Sequence, residues 1–142
     1  MINFFSETKF ELQDQEFYND WLYASVDQHN YEINDINYIF CDDKYLLEIN
    51  KKHLNHDYYT DIITFDYTIG NKLQGDIFIS IDRVADNAYN YDTTFDNELA
   101  RVMIHGLLHM MGYKDKTNQE QEKMRLAEND CLSFLNVSNE EE

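Results

Sequence analysis

Two spacings of apolar residues run along the chain, and each predicts one kind of element. Apolar positions recur three and four residues apart over 15–28 and again from Thr94 or Asp96 to Met110, which is typical of helices that bury one face. Apolar and polar positions alternate over 32–41, while short apolar runs at 2–5, 62–67 and 73–81 predict further strands. Gly70 and Asn71 separate the last two runs and predict a turn, so we expect a hairpin there.

Polar residues at the starts of other apolar runs predict three more helices. Asp42 or Asp43 is a natural N-cap for the second helix, whose core face would comprise Tyr45, Leu46 and Ile49, with His53 left open as a fourth member. Asp82 would cap a third helix that ends at Tyr89, and Thr117 to Glu120 forms a capping box for a last helix reaching Leu135. Strands and helices mix without a regular alternation, so we predict an α+β fold: a small mixed sheet of about four strands packed by about five helices.

Length and composition favour one cytoplasmic domain. The 142 residues suffice for a single domain over 1–137, with an acidic tail at 138–142, and the aromatic content of 15% supports a packed core. The N-terminus has no cationic start followed by an apolar stretch, and no apolar run reaches the roughly 20 residues that cross a bilayer. Cys41 and Cys131 form no metal or redox pattern, so we expect two buried, reduced thiols and no membrane partner.

The segment His105-Gly-Leu-Leu-His109-Met-Met-Gly112-Tyr-Lys-Asp115 carries the candidate chemistry. Residues four apart lie on one helix face, so both imidazoles can bind one ion from the same side. Gly112 is a common helix end, and the turn after it can return Asp115 towards the two rings. Two nitrogens and one oxygen leave one tetrahedral position open, as in catalytic rather than structural zinc sites.

A histidine pair on an apolar helix is, taken alone, more often a satisfied core or surface pair than a metal site. Burying two ionisable rings among the apolar residues 102–111 is costly unless something compensates. A metal ion would compensate, and Gly112 and Asp115 make the metal interpretation the favoured one.

The same segment resembles the metal motif of the YbeY family of single-strand endoribonucleases, H-G-x-L-H-x-x-G-Y-D-H. The runs Thr60-Asp-Ile-Ile-Thr-Phe65-Asp and Gly75-Asp-Ile-Phe-Ile-Ser80 resemble two further family motifs in the same order. The resemblance implies a zincin-like arrangement with the metal helix central, one Zn²⁺ per chain held by His105, His109 and Asp115, and cleavage of single-stranded RNA. It also implies a role in 16S ribosomal RNA 3′-end maturation and ribosome quality control, with the small ribosomal subunit and ribosome-associated proteins as partners.

Six other positions match the family motifs, and the resemblance implies structural work for them: turn geometry, strand ends and hydrogen bonds that orient the ligands. They are Thr60, Asp61, Gly75, Asp76, Gly112 and Tyr113.

The chain departs from the family pattern at two positions. Asp115 stands where the family usually has histidine; carboxylate is an ordinary zinc ligand, and it widens the tolerance for other divalent ions. Leu54 stands where the family usually has arginine, four residues after Asn50, so a phosphate-binding cation is missing there. Lys52, His53 or His56 are the nearby alternatives, and Lys52, His56 and Lys114 are our candidates for substrate binding.

The charge of −17 is the wrong sign for an RNA-binding protein, which usually presents a basic face. The basic residues either gather on one face or are scattered, and the candidates for such a face are Lys51, Lys52, Lys114, Lys116, Lys123 and Arg125. Tyr58, Tyr59, Tyr67 and Tyr113 could stack unpaired bases, although packing is the commoner role of any single tyrosine.

Three functions remain open from the sequence. Gly106 stands where zinc proteases of the H-E-x-x-H type carry their general base, which argues against peptide hydrolysis and favours phosphodiester cleavage. A metal hydrolase with another substrate is one alternative. A non-catalytic ribosome-assembly factor with a structural metal is the other, and the negative charge and Leu54 favour it.

Overall fold

The computed structural model describes the backbone of residues 1–141 and the side-chain burial of residues 1–135, so the predicted acidic tail at 138–142 lies outside the residues whose side chains are described. The elements in chain order are β1 (Ile2–Ser6), α1 (Gln15–Asp27), β2 (Glu32–Cys41), α2 (Asp43–Leu54), β3 (Ile62–Asp66), β4 (Lys72–Ser80), α3 (Ile81–Asn90), α4 (Phe95–Met110) and α5 (Asn118–Glu141). This confirms the predicted α+β class. Within residues 1–141, no helix has the length and apolar character needed for a membrane span.

The four strands form one mixed sheet in the order β1-β2-β4-β3. β1 and β4 both run parallel to β2, whereas β3 runs antiparallel to β4, with Ile62 opposite Ile79 and Asp66 opposite Gly75. The predicted hairpin is therefore confirmed. Gly75 lets β3 approach β4 closely, because a Cβ at this position would collide with the backbone oxygen of Phe65 and lie 2.6 Å from Cε of Met110.

Helix α4 lies centrally against the sheet, as the family resemblance implied. Ten of its 16 residues are buried, and the Tyr38 hydroxyl of β2 donates to the Met103 carbonyl at 2.8 Å. Gly106 makes the close approach possible, since a Cβ there would lie 3.1 Å from Cδ1 of both Ile62 and Ile77. A glutamate at this position would thus be directed into the sheet.

Two predicted helix details are wrong. Helix α2 buries Leu46 and Asn50, while Tyr45 and His53 are exposed. Asn50 can be buried because its side chain donates from Nδ2 to the Tyr58 carbonyl of the following loop at 2.9 Å. Helix α3 is capped by Ser80, whose Oγ accepts from the Arg83 amide at 3.3 Å; Asp82 already lies in the first turn.

Other local predictions are confirmed. Thr94 caps α4, and Thr117 and Glu120 form the capping box of α5, with amide-to-side-chain distances of 2.9 and 3.1 Å in the two directions. Both cysteines are buried free thiols. Burial raises the pKa of Cys41 to about 12 and that of Cys131 to about 11, so both remain protonated.

Candidate metal centre

The end of α4 and the turn after it bring the three predicted ligands together. Gly112 adopts φ +99°, and the chain closes the helix with a Schellman pair of hydrogen bonds. In that pair the Gly112 amide donates to the His109 carbonyl and the Tyr113 amide to the Leu108 carbonyl, both at 3.0 Å. This reversal directs Asp115 back over the last turn of α4.

One ligand atom from each of His105, His109 and Asp115 lies within 4.8 Å of the others. Oδ2 of Asp115 is 3.4 Å from Nε2 of His105 and 3.2 Å from Nε2 of His109. A tetrahedral zinc ion with bonds of about 2.0–2.1 Å separates neighbouring ligand atoms by roughly 3.3–3.4 Å, so the two spacings to Asp115 suit a shared ion.

The Nδ1 atoms of the two histidines make hydrogen bonds that orient each ring with Nε2 towards Asp115. Nδ1 of His105 lies 2.7 Å from Oε2 of Glu128, and Nδ1 of His109 lies 3.0 Å from the Tyr113 carbonyl. Both partners are acceptors, so a ring that binds an ion through Nε2 can keep its proton on Nδ1 and donate it to this partner. Two imidazole nitrogens and one carboxylate oxygen are donors of the type that zinc takes, so the residues present fit such an ion.

The sequence interpretation missed Glu128 and Arg101. Glu128 contacts Nδ1 of His105, and Arg101 contacts Glu128. Glu128 of α5 is 5% exposed, and its Oε1 accepts from Nη1 of Arg101 at 2.9 Å. Arg101 also lies 3.5 Å from Oε1 of buried Glu98. A signal was present within α4, where Glu98, Arg101 and His105 recur at helical spacing on one face, but nothing local pointed to Glu128.

Burial and charge perturb the acids and the base of this region. Burial lowers the pKa of His105, but the hydrogen bond and the charges of Glu128, Asp115 and Asp61 outweigh it, so the pKa is raised overall. Burial raises the pKa of Asp61 and of Glu98, and the positive charges nearby only partly offset this.

A pocket of about 250 Å³ lies beside the ligands and is bounded by the end of α3, by α4 and by α5. Its lining includes His105 and Asp115 together with Asp61, whose Oδ2 accepts from Nδ2 of Asn87 at 3.4 Å. Asp61 thus lies in the site, although the structure gives it no direct hydrogen bond to a ligand within the described residues.

The other motif positions lie around the sheet. The Thr60 hydroxyl donates to the Ile62 carbonyl at 3.4 Å, before β3, and Gly75 permits the close pairing of β3 and β4 described above. Asp76 accepts from Nδ2 of Asn37 across β2 and β4 at 3.0 Å. Tyr113 acts through its backbone carbonyl, which orients His109.

The predicted substrate-binding residues are distributed between two places. Lys52 is exposed on α2, and His56 follows that helix and stacks on Tyr58 with ring centroids 5.1 Å apart. Lys114 lines a hollow of about 290 Å³ next to the metal turn, together with Lys123. None of these residues lines the pocket that contains His105. Arg101 and Arg125 are the basic residues that line that pocket besides His105.

The four tyrosine candidates for base stacking also differ in position and in exposure. Tyr58, Tyr59 and Tyr67 are more than half exposed, and the Arg83 guanidinium lies 5.7 Å from the ring centroid of Tyr59. Tyr113 is partly buried and packs on the core.

Residues 2–136 match the model of a protein family described as Endoribonuclease YbeY. Curated proteins bearing that name are similar over nearly the whole chain: one from Christiangramia forsetii is 52% identical over 136 residues, covering 96% of this chain and 95% of its own. One from Flavobacterium johnsoniae is 49% identical, covering 96% and 99%. A Thermotoga maritima protein solved in solution is similar in structure, with a TM-score of 0.67, 25% identity, and coverage of 100% and 96%.

Proposed function

The chain belongs to the Endoribonuclease YbeY family, and from this premise we propose that it is a zinc-dependent endoribonuclease that cleaves single-stranded RNA. The family membership confirms the resemblance found in the sequence. The activity is proposed because relatives about half identical to this chain carry the name of an endoribonuclease.

The observation that carries the metal requirement is the convergence of Nε2 of His105, Nε2 of His109 and Oδ2 of Asp115. A histidine–histidine–carboxylate set with one position left for solvent or substrate is typical of catalytic zinc. When bound, zinc supplies Lewis-acid polarisation of a phosphoryl oxygen and increases the acidity of water. Phosphodiester cleavage depends chiefly on such charge stabilisation and positioning.

The residues of the chain itself bind and orient the reacting groups. Glu128 and the Tyr113 carbonyl hold the two imidazoles in one tautomer and one orientation. Arg101 keeps Glu128 in place and balances its charge. Gly106 has no side chain that could act as a peptidase base, and a Cβ at this position would meet Ile62 and Ile77.

We further propose that the substrate is the 3′ end of small-subunit ribosomal RNA and that the protein works in the cytoplasm with the small subunit and its associated proteins. This finer proposal is supported by the family resemblance of three ordered motifs.

The test is cleavage of a single-stranded ribosomal RNA 3′-end fragment by zinc-loaded protein. A His105→Ala/His109→Ala preparation, purified identically, controls for contaminating nuclease. We expect cutting by the wild type alone, and a chelator should abolish it and added zinc restore it. Equal cutting by both proteins, or by neither, would contradict the proposal and favour the assembly-factor alternative, to which the charge of −17 and Leu54 also point.

A further inference from the structure

The pocket beside the metal centre has the size and position of a subsite for part of a polymer. At about 250 Å³ it is smaller than the roughly 300–1,000 Å³ of pockets that enclose a whole small ligand. His105 and Asp115 form part of its wall, so a group bound there lies next to the reacting bond. One nucleotide next to the scissile phosphate suits this size and place.

The charges of the pocket require a cation if a phosphate is to enter. Four carboxylates line it, which repel an anion; they are Asp61, Glu98, Asp115 and Glu128. Arg101 is already committed, because it is largely buried between Glu98 and Glu128.

Arg125 is the cation of this pocket that remains available. Its side chain is 65% exposed, and its one ion contact among the described residues is 3.9 Å from Oε1 of Glu128, too long for a hydrogen bond. A guanidinium so placed can turn its paired N–H groups towards a phosphate and bind two oxygens at once. Arg125 extends from α5, one turn before Glu128.

Tyr91 supplies an aromatic face to the same pocket. It directly follows α3, is 67% exposed and lines the pocket together with Asn87. Tyr89, two residues earlier, is 87% exposed and does not line it. Both tyrosines are more than half exposed, so comparing them separates the effect of the pocket from that of exposed aromatic surface.

We propose that this pocket is an RNA subsite in which Arg125 binds a phosphate next to the scissile bond and Tyr91 stacks the base of the adjoining nucleotide. The assignment rests on the proposed function, because it takes single-stranded RNA as the substrate. Arg125 would thus supply the phosphate-binding cation that is missing at Leu54, which is 42% exposed at the end of α2.

The test compares matched pairs of variants by fluorescence anisotropy with a short labelled single-stranded RNA and metal-free protein in chelator. Arg125→Gln is paired with Lys72→Gln, which removes the same charge from a residue that begins β4 and does not line the pocket. Tyr91→Ala is paired with Tyr89→Ala. Circular dichroism and zinc content establish that each variant is folded and can load metal.

We expect Arg125→Gln to weaken binding and to reduce the slope of log affinity against log salt by about 0.7, the contribution of one single-strand phosphate. Arg125→Lys should keep that slope but not the full affinity, because it keeps the charge and loses the fork. Tyr91→Ala should weaken binding about fivefold or more, and Tyr91→Phe should not. Both control variants should bind as the wild type does.

The subsite is contradicted if the wild type binds no RNA, if Arg125→Gln matches Lys72→Gln, or if Tyr91→Ala matches Tyr89→Ala. Cleavage by zinc-loaded wild type is scored separately. Binding contrasts without any cleavage would contradict the proposed function while supporting RNA binding by Arg125 and Tyr91 in this pocket. Cleavage without the contrasts would contradict the subsite alone.

Discussion

Replacing Glu128 by glutamine tests whether a residue 23 positions from His105 in the sequence affects the zinc affinity of the metal centre. The carboxylate accepts from Nδ1 of His105 at 2.7 Å and from Nη1 of Arg101 at 2.9 Å, one donor to each oxygen. Glutamine has the same shape but only one acceptor oxygen, and its NH₂ group would face the second donor. One of the two charge-assisted hydrogen bonds must therefore be lost, whichever way the amide turns.

The structure gives two magnitudes for this change. Losing the partner of a ligating histidine weakens metal binding by about 10–100-fold, which is about 1.4–2.8 kcal/mol. Because Glu128 is 5% exposed, water cannot replace the lost partner fully, and a hydrogen bond to a charged group contributes about 1.5–3 kcal/mol to folding. We therefore expect Glu128→Gln to remain folded, with weaker zinc binding and a lower free energy of unfolding.

The assay is a zinc competition titration against a chromophoric chelator, with unfolding in urea measured on the metal-free protein. Glu122→Gln is the matched control, since it makes the same chemical change on an exposed side of α5. Equal zinc affinity in Glu128→Gln, Glu122→Gln and the wild type would refute the claim that the His105–Glu128 hydrogen bond supports the ligand.

Three further results are expected. Asp115→Ala should lose more zinc affinity than the roughly 100-fold of a supporting residue, since it removes a ligand atom; full zinc retention by dialysed protein would contradict the ligand assignment. Gly75→Ala should lower the free energy of unfolding by at least about 1–3 kcal/mol, because its Cβ meets the rigid backbone of Phe65, and an unchanged urea midpoint would count against this packing. In metal-free protein the pKa of His105 is raised above 6.5, since Glu128 and the nearby charges outweigh burial. The stabilisation from the ion pair of His105 and Glu128 is then complete below pH 6.5 and is lost as the pH rises through the raised pKa. The urea midpoints of wild type and His105→Gln should therefore converge with rising pH. A difference that stays constant would contradict the raised pKa.

Features encoded within one element could be predicted from the sequence. The capping box at Thr117 and Glu120, the strand 32–41 and the two histidines of α4 each depend on residues a few positions apart. The Gly112 turn belongs to the same kind, because its positive φ is a local property of glycine.

Features that depend on pairing between elements could not be predicted. Glu128 meets His105 only after α5 packs on α4, and its spacing in the sequence gives no sign of this. The burial of Asn50 in α2 likewise depends on another part of the chain, because its side-chain amide donates to the Tyr58 carbonyl of the next loop. Ser80 replaced Asp82 as a cap because β4 ends one residue earlier than its apolar run suggests.

The ligands of the metal centre and the groups that orient them come from different distances along the chain. His105, His109 and Asp115 lie within one helix end and its turn, and His109 is oriented from within that segment by Tyr113. His105 instead depends on Glu128, beyond the next helix start. Transplanting residues 105–115 onto another helical scaffold would therefore carry over all three donors but leave one imidazole free to rotate. A designer who borrows this site must also supply a buried acceptor from a second helix.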